Sequence, residues 1–441
     1  TMANTYLQRT QATGDRRKHT LSVWVKKNIN ATTLNIFTAY NASTDFTELK
    51  FNNVDSLQFQ NKVGNNWSGE LKTTRKFRDT NAWYHIVIVW DSANSTGGDR
   101  MKMYINGVEE TSFISDQNPT QSLESNIGES GVPIRFGAFN SNEYFNGSMS
   151  HVHFSDGYVY DASTFGETDA TTGEWKIKTS PSFTLGTTGY SILKDGNTIT
   201  DQSTNSNNFT LGGGTLTKTE DNPSNVFATF NSLHNYYEGG TYAYGNNQIT
   251  TGGSSKYTWN NSTLGMEAGK YYAEFKWVSG GSDVLFGLTD RFTKSSTEEL
   301  GHYATQYGYR TSGNVRNNDG TLSGVTVATW TTGDIIGVAY DATNKKLYFA
   351  KNGTWQNSGD PTSGSTGTGA ISVSASPQDG LYYFSSSGYD NSSVVLQANF
   401  GNGYFGTTGV SSAGTNASGN GIFEYDVPTG YTALSTKGLN T

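Results

Sequence analysis

Apolar residues recur at every second position along most of this chain, the period of a β-strand rather than a helix. In Leu21-Ser22-Val23-Trp24-Val25-Lys26, the side chains of Leu21, Val23 and Val25 share one face. Tyr84-His85-Ile86-Val87-Ile88-Val89-Trp90 is apolar on both faces, as expected of a central strand. Met101, Met103 and Ile105 alternate with Lys102 and Tyr104, after which Asn106-Gly107 turns the chain. Further on, Tyr271, Ala273, Phe275 and Trp277 face opposite to Tyr272, Glu274 and Lys276. No stretch sustains a 3.6-residue period between caps, so few and short helices are expected.

One arrangement occurs twice. Val87–Asp91, a polar loop, Met101–Ile105 and Asn106-Gly107 form the first instance. Ile335–Asp341, a loop, Leu347–Ala350 and Asn352-Gly353 form the second. Each reads as a hairpin whose second strand ends in a dipeptide that tolerates φ > 0. Their separation predicts an all-β chain with two antiparallel β-sandwich, jelly-roll-like domains. Between them, Ser180 to Ser232 is poor in periodicity and rich in Asn, Thr and Gly, a connector or an extra sheet layer. Ser411 to Gly421 is loop-like too, whereas Phe423, Tyr425, Val427 and Tyr431 predict a tail docked on the second domain.

Composition narrows the function. The 441 residues include no cysteine, which removes disulfides, thiolate nucleophiles and cysteine–zinc sites. Lys and Arg number 30 against 38 Asp and Glu, a net charge of −8, so a basic nucleic-acid groove is not expected. Only 15% of residues are charged while 13% are aromatic, the balance of a folded protein with an amide and hydroxyl surface. The longest apolar run, Ile86 to Trp90, is strand-length, so no membrane insertion is expected. Thr1–Thr10 is polar with no signal-peptide pattern, and Thr1 before Met2 suggests a trimmed start.

Candidate chemistry is sparse. A retaining glycosidase holds two carboxyl groups about 5–5.5 Å apart. Tyr84–Trp90 carries no carboxylate, Tyr271–Trp277 carries only Glu274, and Glu109-Glu110 point to opposite faces of any strand. A non-enzymatic protein is therefore expected. His151 and His153 share a strand face, with Asp156 near in sequence. A metal pair would lack its third ligand, so the preferred reading puts both rings on the solvent side while Val152 and Phe154 fill the core. Asp91, Asp99, Asp156 and Asp161 fall in loops where calcium could bind, but no EF-hand spacing appears and turn-forming aspartates are preferred. No cofactor and no metal are expected. Asn-x-Ser/Thr triplets beginning at Asn30, Asn41, Asn66, Asn94, Asn146 and Asn208 carry no weight in a chain so rich in Asn and Thr. Aromatic loops are the better clue: Tyr303, Tyr307, Tyr309 and Arg310 precede a Gly/Asn-rich turn, and Trp355 follows Asn352-Gly353. Rings of this kind stack on a sugar's C–H face while Arg, Asn and Asp meet its hydroxyls.

Leu21–Lys26, Trp83–Val87, Met103–Gly107 and Phe145–Val152 together resemble the laminin-G-like, concanavalin A-like lectin fold over about residues 1–178. Gly269–Phe275, Leu285–Leu288, Gly333–Val338, Tyr348–Gly353 and Asn399-Phe400-Gly401 resemble a SPRY domain over about 233–405. The resemblance implies a connector at 179–232 and a tail at 406–441. It also implies a binding surface on loops at one end of the second sandwich, with Tyr307, Tyr309, Arg310 and Trp355 as its members. Phe165–Asp169 followed by Gly173–Lys176 resembles a segment of marine bacteriophage virion proteins that pair these two domains, joined here through Asp221–Asn225. That resemblance implies a protein on the virion surface: a fibre, spike or capsid decoration that binds host-surface glycan as a homo-oligomer beside other virion proteins. A purely structural, capsid-cementing protein acting by protein contacts is the alternative.

Overall fold

The computed structural model describes residues 4–194, 198–234, 240–251, 255–290, 297–390 and 393–440. Thr1 and Met2, the suggested trimmed start, lie outside them. Strands take up 44% of the chain and helices 4%, so the two-residue periodicity reports the fold class correctly. The chain divides into two compact units, Thr1–Lys218 and Thr219–Thr441. Among the described residues no helix is long and apolar enough to cross a membrane.

In the first unit, Phe113–Gln117, Asn66–Lys76, Ser56–Val63, Asp45–Phe51, Leu34–Ala42, Pro133–Phe136, Tyr6–Thr10 and Thr210–Gly213 lie side by side in that order. The facing sheet runs Tyr190–Ile192, Gly147–Asp156, Lys18–Lys27, Tyr84–Asp91, Met101–Ile105 and Val108–Glu109. Leu21, Val23, Val25, Ile86, Ile88, Trp90, Met101, Met103 and Ile105 all point between the sheets into one core, as their alternation requires. Burying a side chain of this size contributes about 1.5–3 kcal/mol, which fixes the register of these strands.

The opposite face of the second sheet is also covered, by a strap spanning 158–183. The short antiparallel pair Gly166–Thr168 and Trp175–Ile177 forms its middle. Val87 on the sheet packs with Ala162 and Phe165 of the strap, flanked by Tyr104, Tyr160, Trp175 and Phe183. Strand Tyr84–Asp91 is therefore buried on both sides, which explains its unbroken apolar run.

The stretch read as a connector or an extra sheet layer, 179–232, is divided between the two units. Tyr190–Ile192 pairs with Gly147–Asp156, and Thr210–Gly213 pairs with Tyr6–Thr10. Tyr190, Ile192 and Phe209 join the first core. Asp201 organises the polar chain between them by accepting from the backbone N–H groups of Ser191, Ser203 and Asn207. These three apolar anchors are too widely spaced to show a period. At the far end of the stretch, Ala228 and Phe230 belong to the core of the second unit.

That unit has a sheet in the order Thr241–Ala243, Gln248–Thr250, Val395–Asn399, Lys270–Ser279, Ile335–Asp341, Lys346–Lys351 and Thr354–Trp355. Facing it are Lys256–Asn261, Tyr383–Asp390, Asp283–Thr289, Tyr307–Arg310, Asn314–Asn317 and Gly320–Thr321. Tyr271, Ala273 and Phe275 enter the core, while Tyr272 faces the other way and packs with Phe423, Val427 and Tyr431. The C-terminal segment thus covers the outer face of its sheet as the strap does in the first unit. Both repeated hairpins close as expected, Asn106 and Gly107 at φ 48° and 84° and Asn352 and Gly353 at 48° and 78°.

Candidate functional site

The four loop residues expected to form one binding surface do not meet. Strand Tyr307–Arg310 alternates, so Tyr307 and Tyr309 point inward and are buried in the second core. The Tyr309 hydroxyl donates to the Ala328 carbonyl at 2.6 Å, and burial raises its pKa. Trp355 lies on the other sheet, against Tyr272 and Tyr348 beside the C-terminal segment. Arg310 alone reaches an open cleft. The two-residue period of that strand makes Tyr309 and Arg310 mutually exclusive as neighbours in one site.

The cleft at Arg310 has a volume of about 440 Å³ and is lined by Tyr257, Ser282, Asp283, Arg310, Thr311, Ser312 and Tyr389. That volume lies within the usual range for a small-molecule site. Sheet pairing assembles it from three distant segments: Tyr257 is opposite Tyr389, and Asp283 is opposite Tyr389 on its other side. The Tyr257 and Tyr389 rings lie 5.2 Å apart at 61°. Arg310 Nε donates to Asp283 Oδ1 at 2.9 Å, with a second contact from its Nη2 to Oδ2, and Nη1 lies 3.3 Å from Glu299 Oε2. Glu299 is held in turn by Arg316. The Tyr257 hydroxyl sits 2.9 Å from Asp283 Oδ2 and 3.3 Å from Glu299 Oε2. The hydrogen bond to Asp283 keeps Arg310 firmly protonated, while burial together with Asp283 pushes the Tyr257 hydroxyl up. The result is a charge-balanced cleft with an aromatic wall, two hydroxyl-bearing rim residues on one strand end and a rigid guanidinium floor. Only Arg310 of these residues stood out in the sequence. Tyr257, Asp283 and Tyr389 are up to 132 positions apart, and the alternation that places them on the outer face was their sole signal.

A second cleft of about 440 Å³ lies on the first unit, lined by Asp91, Asn94, Asp99, Lys102, Tyr104, Tyr160 and Asp161 among others. Three of the four loop aspartates thus meet there, each with a structural task. Asp91 faces Lys18 at 3.9 Å, Asp99 pairs with Lys102 at 3.1 Å, and Asp161 caps a short helix through the Ser163 N–H. Asp156 is elsewhere and buried, accepting from the N–H groups of Asp15 and Thr188. No cluster of three or more His, Asp or Glu fit to hold a metal occurs among the described residues.

The histidine pair is also not where it was expected. His151 and His153 are both buried rather than facing solvent, and His153 lies beneath the strap. The His153 ring stacks 5.8 Å from Phe165 and meets the edge of Phe183 at 5.6 Å. His151 has φ 47°, at a register shift in its strand that the sequence does not advertise. A covering segment 10–30 residues downstream overrides the two-sided reading of the strand.

Residues 1–163 match the profile of the Concanavalin A-like lectin/glucanases superfamily, and the first unit has that fold. The dual specificity protein kinase splA of Dictyostelium discoideum is 34% identical over 89 residues, covering 19% of this chain and 3% of that protein's length. Among solved structures, the SPRY domain of human HERC1 is similar over 34% of this chain and 87% of its own, at 18% identity and a TM-score of 0.28. The TRIM65 PSpry domain is similar over 39% of this chain and 91% of its own, at 12% identity and a TM-score of 0.29. A heptameric SAP-like pentraxin from Limulus polyphemus is similar over 36% of this chain and 73% of its own, at 18% identity and a TM-score of 0.26.

Proposed function

We propose that this chain is a non-enzymatic glycan-binding protein of a phage particle surface, with the Arg310 cleft as its sugar site. The observation that carries the reading is the pairing of the Tyr257 and Tyr389 rings with Arg310 and Asp283 in one open cleft. A pyranose offers an apolar C–H face and a ring of hydroxyls, and this cleft offers stacking surface beside fixed donors and acceptors. The carboxylates at the cleft, Asp283 and Glu299, are both ion-paired to arginine, so neither stands as the free carboxyl pair that a glycosidase sets across the scissile bond. This arrangement supports binding without hydrolysis.

The phage assignment rests on the sequence resemblance of the Phe165–Trp175 segment and of the domain pairing. A shallow, charge-balanced site implies weak single contacts, on the order of 1 mM or about −4 kcal/mol. Homo-oligomeric display would raise avidity by roughly 10²–10⁴.

A glycan array probed with the intact chain tests the reading. Binding that is lost in both Tyr389→Ala and Arg310→Ala supports it, and an array with no signal at any density sinks it. Antibody against the chain is expected to label phage particles and slow their adsorption to cells. Labelling with no effect on adsorption would instead assign the chain to protein contacts within the particle.

A further inference from the structure

The strap of the first unit is fastened through a histidine that must be neutral. His85 projects from the outer face of the second sheet, where its ring stacks on Trp24 at 4.7 Å and 12°. Its Nδ1 accepts a hydrogen bond from Trp175 Nε1 at 3.0 Å, and its Nε2 lies 2.9 Å from Ser22 Oγ. An indole N–H can only donate, so Nδ1 must be the lone-pair nitrogen and Nε2 must carry the hydrogen. Trp175 has little room to adjust. A Cβ on Gly107 would come within 2.3 Å of its Cε3, and a Cβ on Gly166 within 2.4 Å of its Cζ2. The indole is therefore a plug set between two glycines with its one polar atom on His85.

His153 lies under the same strap, its Nδ1 bonded to Ser191 Oγ at 2.8 Å and its ring against Phe165 and Phe183. The charges it feels are Lys194, His151 and His85, all of which disfavour a second cation. Lys26 is buried on the same face of the sheet as Trp24. On the strap, Lys176 pairs with Asp169 at 3.1 Å and Glu167 at 3.7 Å, and Lys178 donates to the Ser163 carbonyl. Glu174 is exposed, and Lys102 at the cleft edge is held by Asp99 and Glu109. Of the strap's carboxylates, Glu167 and Asp169 are thus paired with Lys176, Asp161 accepts from the Ser163 N–H, and Glu174 lies in solvent.

We propose that residues 158–183 form a pH-gated strap, latched by the Trp175–His85 hydrogen bond and released when the buried imidazoles take up protons. A proton on Nδ1 turns the acceptor into a donor facing the Trp175 N–H, so the latch cannot survive it. Burial holds His85 down to about 3 in the closed strap, and His153 is likewise pushed well down. Once the strap lifts, both rings regain water and titrate near 6.5. Each imidazole then favours opening about tenfold more for every pH unit below 6.5. Opening would expose Trp24, Val87, Phe165, Trp175 and Phe183, an aromatic face hidden at neutral pH.

Hydrogen exchange on the full chain, corrected for the intrinsic pH dependence of exchange, tests this. Between pH 6.5 and 4.5, peptides covering 166–177 are expected to lose at least about a hundredfold of protection. Peptides covering 18–27 and 84–91 should lose less over the same range. In His85→Gln, whose amide oxygen can accept from Trp175 without titrating, the fall should be markedly shallower. In Trp175→Phe, strap protection should be reduced already at pH 7. Level strap protection across this range in the unmodified chain, or an equally steep fall in His85→Gln, overturns the proposal. If His85→Gln fails to fold, the unmodified chain and Trp175→Phe still decide it.

Discussion

The two units solve one packing problem twice, with opposite chemistry. In each, a covering segment lies over the outer face of a sheet and sends an aromatic ring against the glycine of the Asn-Gly hairpin. Trp175 fills the space beside Gly107, and Tyr425 fills the space beside Gly353. In each, the turn asparagine accepts an N–H from the start of the hairpin's first strand, Asn106 from His85 and Asn352 from Ile335, both at 2.8 Å. A lysine–aspartate pair also spans each sheet at the same register, Lys18 opposite Asp91 and Lys270 opposite Asp341. The anchors differ. The first unit fastens its strap to a neutral base, His85, through one side-chain hydrogen bond. The second fastens its C-terminal segment to an acid, Glu274, which accepts the backbone N–H groups of Glu424 and Tyr425 at 2.9 Å each. Tyr272 and Asn399 supply the remaining donors to Glu274. The same architecture is therefore wired to respond to pH in opposite directions.

The largest expected effect follows from that wiring. Burial holds His19 and His85 near 3, below their value in an unfolded chain. A base depressed on folding leaves the native state intact above 6.5 and weakens it as the pH falls towards 3. At pH 4.5 each contributes about 3 kcal/mol of destabilisation, or about 5–6 kcal/mol for the two. Glu274 runs the other way. Burial raises it to about 7 against the pull of its four donors, so its contribution is whole below about 4.5 and is lost as the pH rises through 7. That loss amounts to about 3 kcal/mol. Thermal unfolding followed by hydrogen exchange should show the first unit weakening relative to the second between pH 7 and 4.5. Parallel shifts of both units would break the comparison.

Removing the acidic anchor comes next. Glu274→Ala leaves two backbone N–H groups, an amide and a hydroxyl without their acceptor, at a cost of about 4 kcal/mol or more. Exchange protection of peptides covering 422–434 should collapse in this variant while the strap of the first unit is untouched. Glu274→Gln sharpens the test: it keeps the shape but turns one acceptor into a donor, so it should fall between the two and abolish the pH response near 7.

The sheets, both Asn-Gly turns and the inward faces of Leu21–Val25 and Tyr271–Phe275 were legible in the sequence because one side of each strand has a single role. What covers the second side was not. Whether His153 or Glu274 meets water depends on Phe165 and Phe423, and no local period links them. The candidate site failed for the same reason. Tyr309 and Arg310 are adjacent in sequence and fall on opposite faces, while Tyr257 and Tyr389 become neighbours only through pairing. The 179–232 stretch escaped because Tyr190, Ile192 and Phe209 carry its packing among polar residues held by Asp201.

The smallest effects separate the two glycines. Both sit at positive φ, so alanine at either costs about 1 kcal/mol of backbone strain. The side-chain terms differ. At Gly353 the new methyl meets the Tyr425 ring at 2.6 Å, but Tyr425 is tied to Glu274 through its backbone, so the ring can swing aside without breaking that bond. At Gly107 the methyl meets Trp175 Cε3 at 2.3 Å, and the same indole is packed closely enough on Gly166 that a Cβ there would lie 2.4 Å from its Cζ2, which limits its retreat. Displacing the indole also breaks its hydrogen bond to His85, adding about 1–2 kcal/mol. Gly107→Ala should therefore destabilise its unit by about 3 kcal/mol and Gly353→Ala by about 1 kcal/mol. Chemical denaturation of the two variants, with exchange in 166–177 and 422–434 reporting each segment, measures the difference. Equal costs would show that the indole is no more confined than the phenol, and that the strap of the first unit is not held by its plug.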